Sequence, residues 1–265
     1  MGKTFPIFEN DKINCLICRY NYLDNIGVII MYYNWDNWYK IILDDFSFKE
    51  ENDIESAKYL NENVSKYDVS HIDFKNQCII FGAGPSIKKH IRYLKSNVNL
   101  KEYTLIAADG TTKALLEESI FPDIIVTDLD GDMDSILKSN KSGSILYVHA
   151  HGDNIDKLRK YLDKLEKIVP TCQCKPFDKL ENYGGFTDGD RAVHIAIYAL
   201  NVKKIILAGM DFGNIITHYS RPEIGVEIKE ADEFKKKKLY YAEKLINLLK
   251  KENLQIEFIN LSDSI

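Results

Sequence analysis

The chain is predicted to be an α/β protein: a Rossmann-like parallel sheet flanked by helices, preceded by a small helical N-terminal segment. Three observations predict this fold. From residue 77 onward, short apolar runs alternate with amphipathic stretches, as in repeated βαβ units. The run Ile124-Ile125-Val126 is apolar at every position, which is typical of a strand buried on both faces. Glycine-rich polar clusters follow these runs, and ligands bind at the corresponding edge of open parallel sheets.

The hydrophobic pattern assigns the elements in chain order. Residues 1–30 are interpreted as an N-terminal extension, 31–76 as the helical segment and 77–265 as the α/β body. One helix is expected to begin near Trp35, and a second to span 53–63. The candidate strands are 77–81, 103–107, 124–127, 144–148, 204–208 and 255–259. The candidate helices lie near 86–96, 111–119, 153–167, 188–200 and 230–252.

Composition excludes several classes of partner. The formal net charge of −5 argues against nucleic acid or an anionic membrane as the main partner. No apolar run is long enough to span a membrane, and residues 1–30 lack the layout of a signal peptide. The chain has 5 cysteines, and this odd number in a long chain favours reduced thiols and a cytoplasmic location. A homo-oligomer is possible.

Four of the cysteines could in principle form a zinc site. They are Cys15, Cys18, Cys172 and Cys174. Their spacing matches no standard zinc module, and a pair of cysteines two residues apart is common. A zinc site is therefore disfavoured.

The strand 124–127 runs directly into three aspartates spaced two residues apart. If the extended conformation continues beyond Thr127, then Asp128, Asp130 and Asp132 share one face. Carboxylates that converge in this way repel each other unless a cation or protons neutralise them. Oxygen ligands at such an edge suit Mg²⁺, whereas a single aspartate would favour a helix cap. Three aspartates in register therefore favour a magnesium site.

The segment Gly82-Ala83-Gly84-Pro85-Ser86 follows the first strand of the α/β body and opens a helix. Glycines let backbone amides approach a phosphate, and Pro85 is suited to the first helical position. A plain tight turn also explains the segment, since it lacks a third glycine and the P-loop lysine. After the second strand, Asp109 and Gly110 could either cap a helix or orient a substrate group.

Polar residues follow two further predicted strands or loops. His149 and His151 share a face and could act in catalysis or simply pack, while Asp153 could begin the helix 153–167. Thr187 and Asp188 could cap the next helix. The additional acids and Arg191 exceed what capping needs, so they indicate a site for Mg²⁺ and a nucleotide.

The run 235–238 is four consecutive lysines. It lies in a helix whose apolar stripe includes Phe234, Tyr241, Leu245 and Leu248. The lysines are therefore interpreted as the solvated face of that helix.

In its combined order of motifs, the chain resembles the archaeal 6-hydroxymethyl-7,8-dihydropterin pyrophosphokinases, a family related to the catalytic domain of thiamine pyrophosphokinase. The motifs are 82–86, 108–110, 122–132, 149–153 and 185–190, and the resemblance covers roughly residues 34–260. It implies that the body 77–265 is a pyrophosphokinase catalytic domain. The implied reaction transfers diphosphate from ATP to the hydroxyl of a reduced hydroxymethylpterin, releases AMP and belongs to tetrahydromethanopterin biosynthesis.

The resemblance also implies roles for individual residues. Magnesium would be held by Asp128, Asp130, Asp153 and Asp188. ATP would contact Gly82, Gly84, Pro85, Ser86, Asp109, Gly110 and Thr187. Asp132 or a histidine such as His151 would accept the hydroxyl proton, and Arg191 would offset developing phosphate charge.

Several alternatives remain at the level of sequence. Thiamine pyrophosphokinase-like activity is one, although Gly131 stands where the thiamine pattern has serine. A metal-dependent hydrolase using His149 and His151 is another. A non-catalytic nucleotide-binding module, or a glycosyltransferase sharing the element 82–86, would bind nucleotide without releasing AMP from ATP.

Overall fold

A seven-stranded sheet forms the centre of the computed structural model, and all neighbouring strands in it are parallel. The structure describes residues 34–225 and 228–263, together with the backbone of a short antiparallel pair, Leu23–Asp24 and Gly27–Val28. The strands are β1 (Gln77–Phe81), β2 (Thr104–Ala108), β3 (Ile124–Thr127), β4 (Ile145–Ala150), β5 (Ile168–Cys172), β6 (Lys204–Ala208) and β7 (Glu257–Asn260). Their order across the sheet is β7-β6-β1-β2-β3-β4-β5.

Helices cover both faces of the sheet. They are α1 (Trp35–Phe46), α2 (Glu50–Asn63), α3 (Ile87–Asn97), α4 (Thr111–Leu116), α5 (Met133–Lys141), α6 (Ile155–Tyr161), α7 (Asp188–Tyr198) and α8 (Glu233–Glu252). A hydrophobic core lies on each face of the sheet. Alternate residues of a strand point into opposite cores, so that Ile79 packs in one and Ile80 in the other. The predicted fold class, including the N-terminal helices, is confirmed. No helix of the described residues is long and apolar enough to cross a bilayer.

The sequence prediction missed one strand of the central sheet and one helix, and it shifted several boundaries by one to three residues. The expected helix 153–167 ends earlier, since α6 and a short 3₁₀ turn are followed by β5. Strand β5 was not predicted because Pro170 interrupts its apolar run. Proline is tolerated there because β5 lies at an edge of the sheet. Glu181 binds its outer side, where its N–H donates to the Pro170 carbonyl at 3.0 Å. The other missed element, α5, begins immediately after the aspartates.

The strand order reverses between β1 and β6, because the chain builds β1 to β5 in one direction and then returns to the opposite side of β1. In open α/β sheets, ligands bind outside the carboxyl ends of the strands at such a switch point. The carboxyl ends of all seven strands meet at the same edge. That edge therefore holds the loops that carry the predicted site residues.

Candidate active site

The backbone after β3 does not stay extended. Leu129 has a φ of 66°, in the left-handed region that a branched aliphatic residue rarely adopts. The Thr127 hydroxyl stabilises this turn by accepting a hydrogen bond from the N–H of Leu129 at 2.8 Å. The expectation that three aspartates share one face is therefore wrong for Asp132, because the turn redirects the chain.

Asp132 instead begins α5. Its carboxylate accepts hydrogen bonds from the N–H of Ser135 at 3.0 Å and the hydroxyl of Ser135 at 2.6 Å, and it pairs with Lys113 at 3.2 Å. Although partial burial opposes them, these bonds lower the pKa of Asp132. A carboxylate held in this way is a weak proton acceptor.

A different aspartate completes the carboxylate cluster. One oxygen each of Asp109, Asp128 and Asp130 lies within 4.8 Å of the others. Asp109 follows β2, and its carboxylate accepts a hydrogen bond from the Thr127 hydroxyl at 2.5 Å. Asp109 was expected to bind nucleotide or cap a helix, but its side chain faces the aspartates that follow β3. We call these three residues the carboxylate cluster.

The electrostatics of the cluster favour a bound cation. Burial, together with the negative charges of Asp130 and Asp128, raises the pKa of Asp109 well above its usual range. Loss of hydration and Asp128 also raise the pKa of Asp130. Oδ1 of Asp128 is buried and has no hydrogen-bond partner among the described residues. Such an orphaned anionic oxygen beside two further carboxylates matches the needs of a divalent cation.

Asp188, at the first turn of α7, borders this cluster. Burial and the charge of Asp128 raise the pKa of Asp188 to about 8, although Arg191 opposes the shift. Asp188 and Arg191 form an ion pair, with Oδ1 and Nη1 3.2 Å apart. Asp153, by contrast, is exposed and does not belong to the cluster. Among the four acids expected to hold metal, Asp128 and Asp130 converge, Asp188 is their electrostatic neighbour, and Asp153 stands apart.

The two histidines have separate surroundings. His151 Nε2 lies 3.0 Å from Asp128 Oδ2, and this contact holds the pKa of Asp128 well below its usual range although burial opposes it. His149 is buried instead against Thr171, with Nδ1 and Oγ1 3.0 Å apart. Burial lowers the pKa of His149 well below its usual range, so its imidazole is neutral. Only His151 reaches the carboxylate cluster.

Asn154, which the sequence analysis did not single out, positions these groups. Its amide donates to the backbone carbonyl oxygens of Asp128 at 3.0 Å and His149 at 2.7 Å. Its side-chain oxygen accepts from the N–H of His151 at 3.0 Å. Asn154 precedes α6, so the expectation that Asp153 begins this helix is wrong.

Thr187 caps α7 in a capping box with Asp190, which accepts from the N–H of Thr187 at 2.7 Å. The structure therefore uses this threonine for helix capping. Gly185 precedes it with a φ of 95°, and a Cβ there would lie 2.7 Å from Arg191 Cα. This close approach brings Arg191, which is buried, to the edge of the sheet.

Two lysines of α8 face the acids, which corrects the expectation that all four are solvated. All four lysines are half-buried, but Lys236 and Lys237 pair with Glu230 and Asp45. Burial lowers the pKa of Lys235 despite the opposing charges of Asp130 and Asp188. The charge of Lys238 helps to lower the pKa of Asp128 and opposes the rise in the pKa of Asp188. Because they are three residues apart, Lys235 and Lys238 lie on the same side of the helix, and the sequence shows this much. The sequence near them does not indicate which other elements that side of α8 faces.

The glycine-rich loop 82–86 packs tightly on the loop after β6. The N–H of Gly82 donates to Ala208 at 2.8 Å and that of Gly84 to Gly209 at 2.9 Å. A Cβ on Gly84 would lie 2.6 Å from the Gly209 carbonyl oxygen, so close packing explains this glycine. The Ser86 N–H donates to Asp211 at 3.1 Å. These amides are thus occupied within the protein, and the loop forms one wall of the switch point.

A cavity of about 320 Å³ opens on the other side of the cluster, toward β4 and β5. Its polar lining includes His151, Arg191 and Lys238, which border the acids. The rest comes mainly from residues 47–53, which join α1 to the first turn of α2, from Gln173 and from aromatic side chains. This volume lies at the lower end of the range of small-molecule sites.

Comparisons with known proteins agree on one family. A sequence model of that family, described as 6-hydroxymethylpterin diphosphokinase MptE-like, matches residues 51–217. The chain is 48% identical over 238 residues to the 6-hydroxymethyl-7,8-dihydropterin pyrophosphokinase of Methanocaldococcus jannaschii, covering 85% of this chain and 98% of the relative. It is 37% identical over 226 residues to the enzyme of that name from Pyrococcus furiosus, covering 82% and 94% respectively.

A solved structure is similar in fold. The MAf glycosyltransferase from Magnetospirillum magneticum AMB-1 superposes with a TM-score of 0.51 at 16% identity. The match covers 82% of this chain, which spans 39% of that protein. At this identity the likeness shows a common fold alone.

Proposed function

Since the chain belongs to the family of 6-hydroxymethylpterin diphosphokinases, we propose that it transfers the diphosphate group of ATP to 6-hydroxymethyl-7,8-dihydropterin. The reaction joins the hydroxymethyl oxygen to the β-phosphorus, breaks the bond between the α- and β-phosphates, and releases AMP and a proton. The single structural observation that supports this proposal is the carboxylate cluster of Asp109, Asp128 and Asp130 at the carboxyl edge of the parallel sheet. Tetrahydromethanopterin biosynthesis is the inferred pathway, in keeping with the archaeal relatives.

We infer that the cluster holds Mg²⁺. Three carboxylates within 4.8 Å, one with a buried unpartnered oxygen, supply the hard oxygen ligands that this ion takes. When bound, the ion supplies charge neutralisation for the phosphates and lets carboxylates and triphosphate share one site. Asp188 is a further acid in reach of this site, and its raised pKa reflects the same concentration of negative charge.

The basic side chains around the cluster fit a phosphoryl-transfer site, in which catalysis is mostly positioning and electrostatic stabilisation. Arg191, Lys235 and Lys238 approach the acids from α7 and α8. They can bind phosphate oxygens and offset the charge that develops on the leaving AMP. His151 is the better candidate to receive the hydroxyl proton, because the carboxylate of Asp132 already accepts hydrogen bonds at the start of α5.

The nucleotide is assigned to the switch point between β1 and β6, where loop 82–86 forms a wall. With the amides of Gly82 and Gly84 occupied, the loop would contribute shape and the Ser86 hydroxyl. Gly110 lies beside the cluster, since a Cβ on Gly131 would approach its N–H to 2.7 Å. We therefore expect the backbone N–H of Gly110 to contact the triphosphate.

One assay separates this proposal from its competitors. Protein, Mg²⁺, ATP and the reduced hydroxymethylpterin are incubated together, and AMP is measured with and without the pterin. Pterin-dependent AMP is expected. Nucleotide binding without AMP would favour a binding module, and AMP formation with thiamine alone would favour the thiamine reaction.

The metal identity is tested in the same assay. Protein stripped with a chelator should regain full activity with Mg²⁺ alone, because the cluster contains carboxylates and no histidine. Recovery with Zn²⁺ only, or hydrolysis without ATP, would favour a hydrolase that uses His149 and His151. The burial of His149 against Thr171 disfavours that alternative.

A further inference from the structure

The cavity beside the carboxylate cluster lies on the side opposite the switch point. Loop 82–86 and the loop after β6 flank the cluster from the β1 side. The cavity is lined by His151 after β4 and Gln173 after β5, so it lies on the β4 side. In-line transfer requires the attacking oxygen and the leaving AMP to lie on opposite sides of the transferred group. If the nucleotide occupies the switch point, this cavity is where the acceptor can approach.

From this arrangement we propose that the cavity binds the pterin ring, with Asp53 as its polar anchor and Phe234 as its aromatic wall. The assignment rests on the proposed function. A volume of about 320 Å³ accommodates a bicyclic ring. His151, Arg191 and Lys238 mark the end of the cavity where the hydroxymethyl group would meet the β-phosphate.

Asp53 is an unusual carboxylate for a structural role. It is 3% exposed, yet its three hydrogen-bond donors are all uncharged. They are the hydroxyl of Tyr39 at 2.6 Å, the amide of Gln173 at 2.9 Å and the N–H of Gly152 at 2.7 Å. Two of these bonds go to Oδ2, so Oδ1 keeps one acceptor position. No lysine or arginine among the described residues pairs with Asp53, and a buried carboxylate of this kind at the wall of a cavity fits a ligand that brings N–H donors.

The pterin ring has such an edge. Its pyrimidine half presents an exocyclic amino group and a ring N–H next to a carbonyl oxygen. The Asp53 carboxylate can accept from the N–H side, and the side-chain amide of Asn52 on the cavity wall can donate to the carbonyl. Adenine has no ring N–H on its pairing edge, so a fixed acceptor there also discriminates between the two substrates.

The aromatic wall supplies the complementary surface. Phe48, Phe186 and Phe234 all line the cavity. Phe234 remains 49% exposed although its ring packs against that of Phe46 at 5.4 Å in a T-shaped arrangement. An aromatic side chain held by its neighbours and left half open to a cavity offers a face on which a planar ring can stack.

Direct binding tests this assignment. The fluorescent dihydropterin is titrated into the full-length protein with Mg²⁺ and α,β-methylene-ATP, in which the bond to be broken is blocked. Asp53→Asn and Phe234→Leu should each raise the Kd for pterin by about tenfold or more. Their Kd for the ATP analogue should stay unchanged. Phe234 is partly exposed, so its variant tests the proposal even if Asp53→Asn fails to fold.

Matched controls separate binding from packing. Tyr39→Phe removes a donor to Asp53, so its effect shows the cost of disturbing the network alone. Tyr240→Leu changes an exposed aromatic on the same helix as Phe234 but outside the cavity, and should bind pterin normally. Unchanged pterin affinity in Phe234→Leu and folded Asp53→Asn, or a loss confined to the ATP analogue, would overturn the assignment. If the wild-type protein forms no pterin-dependent AMP, the proposed function itself fails.

Discussion

At the scale of single residues, the site depends on a turn that brings two loops together. The left-handed conformation of Leu129 ends the extended chain. The Thr127 hydroxyl accepts from the N–H of Leu129 and donates to the carboxylate of Asp109. This turn separates Asp132 from Asp128 and Asp130 and lets Asp109 take its place. The strain of one backbone conformation is thus used to assemble the carboxylates.

The first prediction concerns Asp130. Asp130→Asn should lower kcat/KM at ordinary Mg²⁺ by at least about a hundredfold, because it removes a metal-binding oxygen. Without Mg²⁺ the same variant should have a Tm no lower than that of wild type, because it removes one of three converging carboxylates that repel each other. Enzyme kinetics and thermal unfolding give the two readouts.

Two further variants complete this test. Asp128→Asn should also lose turnover while remaining folded. Asp134→Asn, an exposed acid in the first turn of α5, should keep wild-type activity. Near wild-type activity of Asp130→Asn or Asp128→Asn at ordinary Mg²⁺ would refute the metal assignment.

The second prediction concerns the close contact of the two loops. A Cβ at Gly131 would clash with Oδ2 of Asp109 and lie 2.7 Å from the N–H of Gly110. Gly131→Ala should therefore separate the carboxylates and lower activity by about tenfold or more, with a raised Mg²⁺ requirement. Gly213→Ala is the matched control, because its Cβ would meet nothing closer than 3.9 Å. Equal activity of the two variants would mean that this contact does not position Asp109.

Part of this arrangement is predictable from the sequence. The period-two spacing identified Asp128 and Asp130 because they directly follow a buried strand. It failed for Asp132, since no local signal predicts a left-handed leucine. Asn154 and Asp53 were missed because their partners are distant in the chain, such as Asp128 for Asn154 and Gly152 for Asp53.

At the scale of elements, loops and helices hold the site on the rigid edge of the sheet. Helix α3 anchors loop 82–86 through His90, whose Nδ1 accepts from the N–H of Gly209 at 3.0 Å. The same nitrogen lies 3.1 Å from the Ser86 hydroxyl. Hence one buried imidazole joins the ends of β1 and β6 on both sides of the switch point.

The third prediction follows from the protonation of His90. Burial lowers its pKa from 6.5, so the folded state binds fewer protons than the unfolded state below that pH. The stability contributed by His90 is therefore present at neutral pH and is lost as the pH falls. His90→Asn keeps an acceptor near the position of Nδ1 but cannot be protonated.

Thermal unfolding checks this expectation. Between about pH 7 and about pH 5, the Tm of wild type should fall more than that of His90→Asn. His71→Asn, at an exposed position, should follow the wild-type curve. Parallel curves for wild type and His90→Asn would show that this histidine does not control the acid stability of the loop.

The elements themselves were largely predictable from hydrophobic period, with clear physical reasons for the exceptions. Strand β5 was missed because Pro170 interrupts an apolar run, a feature that edge strands tolerate. The orientation of α8 could not be predicted, because lysines are equally compatible with a face exposed to water and with a face that packs near acidic residues. Only packing shows that Lys235 and Lys238 face the site.

At the scale of the whole molecule, the N-terminal helices are part of the core. Trp35 is 1% exposed, and its indole N–H donates to the Gln173 carbonyl at 2.7 Å. Helix α2 contacts β4 and β5 and carries Asp53 to the cavity. The described molecule therefore uses both the helical segment and the sheet to form the candidate site.

The fourth prediction concerns residues 1–30. They are interpreted as an extension, and most of them lie outside the described residues. Protein translated from Met31 should fold and release AMP at wild-type rates, because Trp35 and the rest of α1 are retained. Loss of solubility or of AMP formation in that shortened protein would show that the segment belongs to the working enzyme.

We propose that this edge of the sheet directs attack at the β-phosphorus of ATP. The most direct measurement follows ATP that carries a radioactive label on its β-phosphate during turnover with Mg²⁺ and the reduced hydroxymethylpterin. We predict equal amounts of AMP and labelled pterin diphosphate, because the bond between the α- and β-phosphates is the one that breaks. Label recovered in ADP, or in free phosphate with no labelled pterin, would show that the pterin does not attack the β-phosphorus.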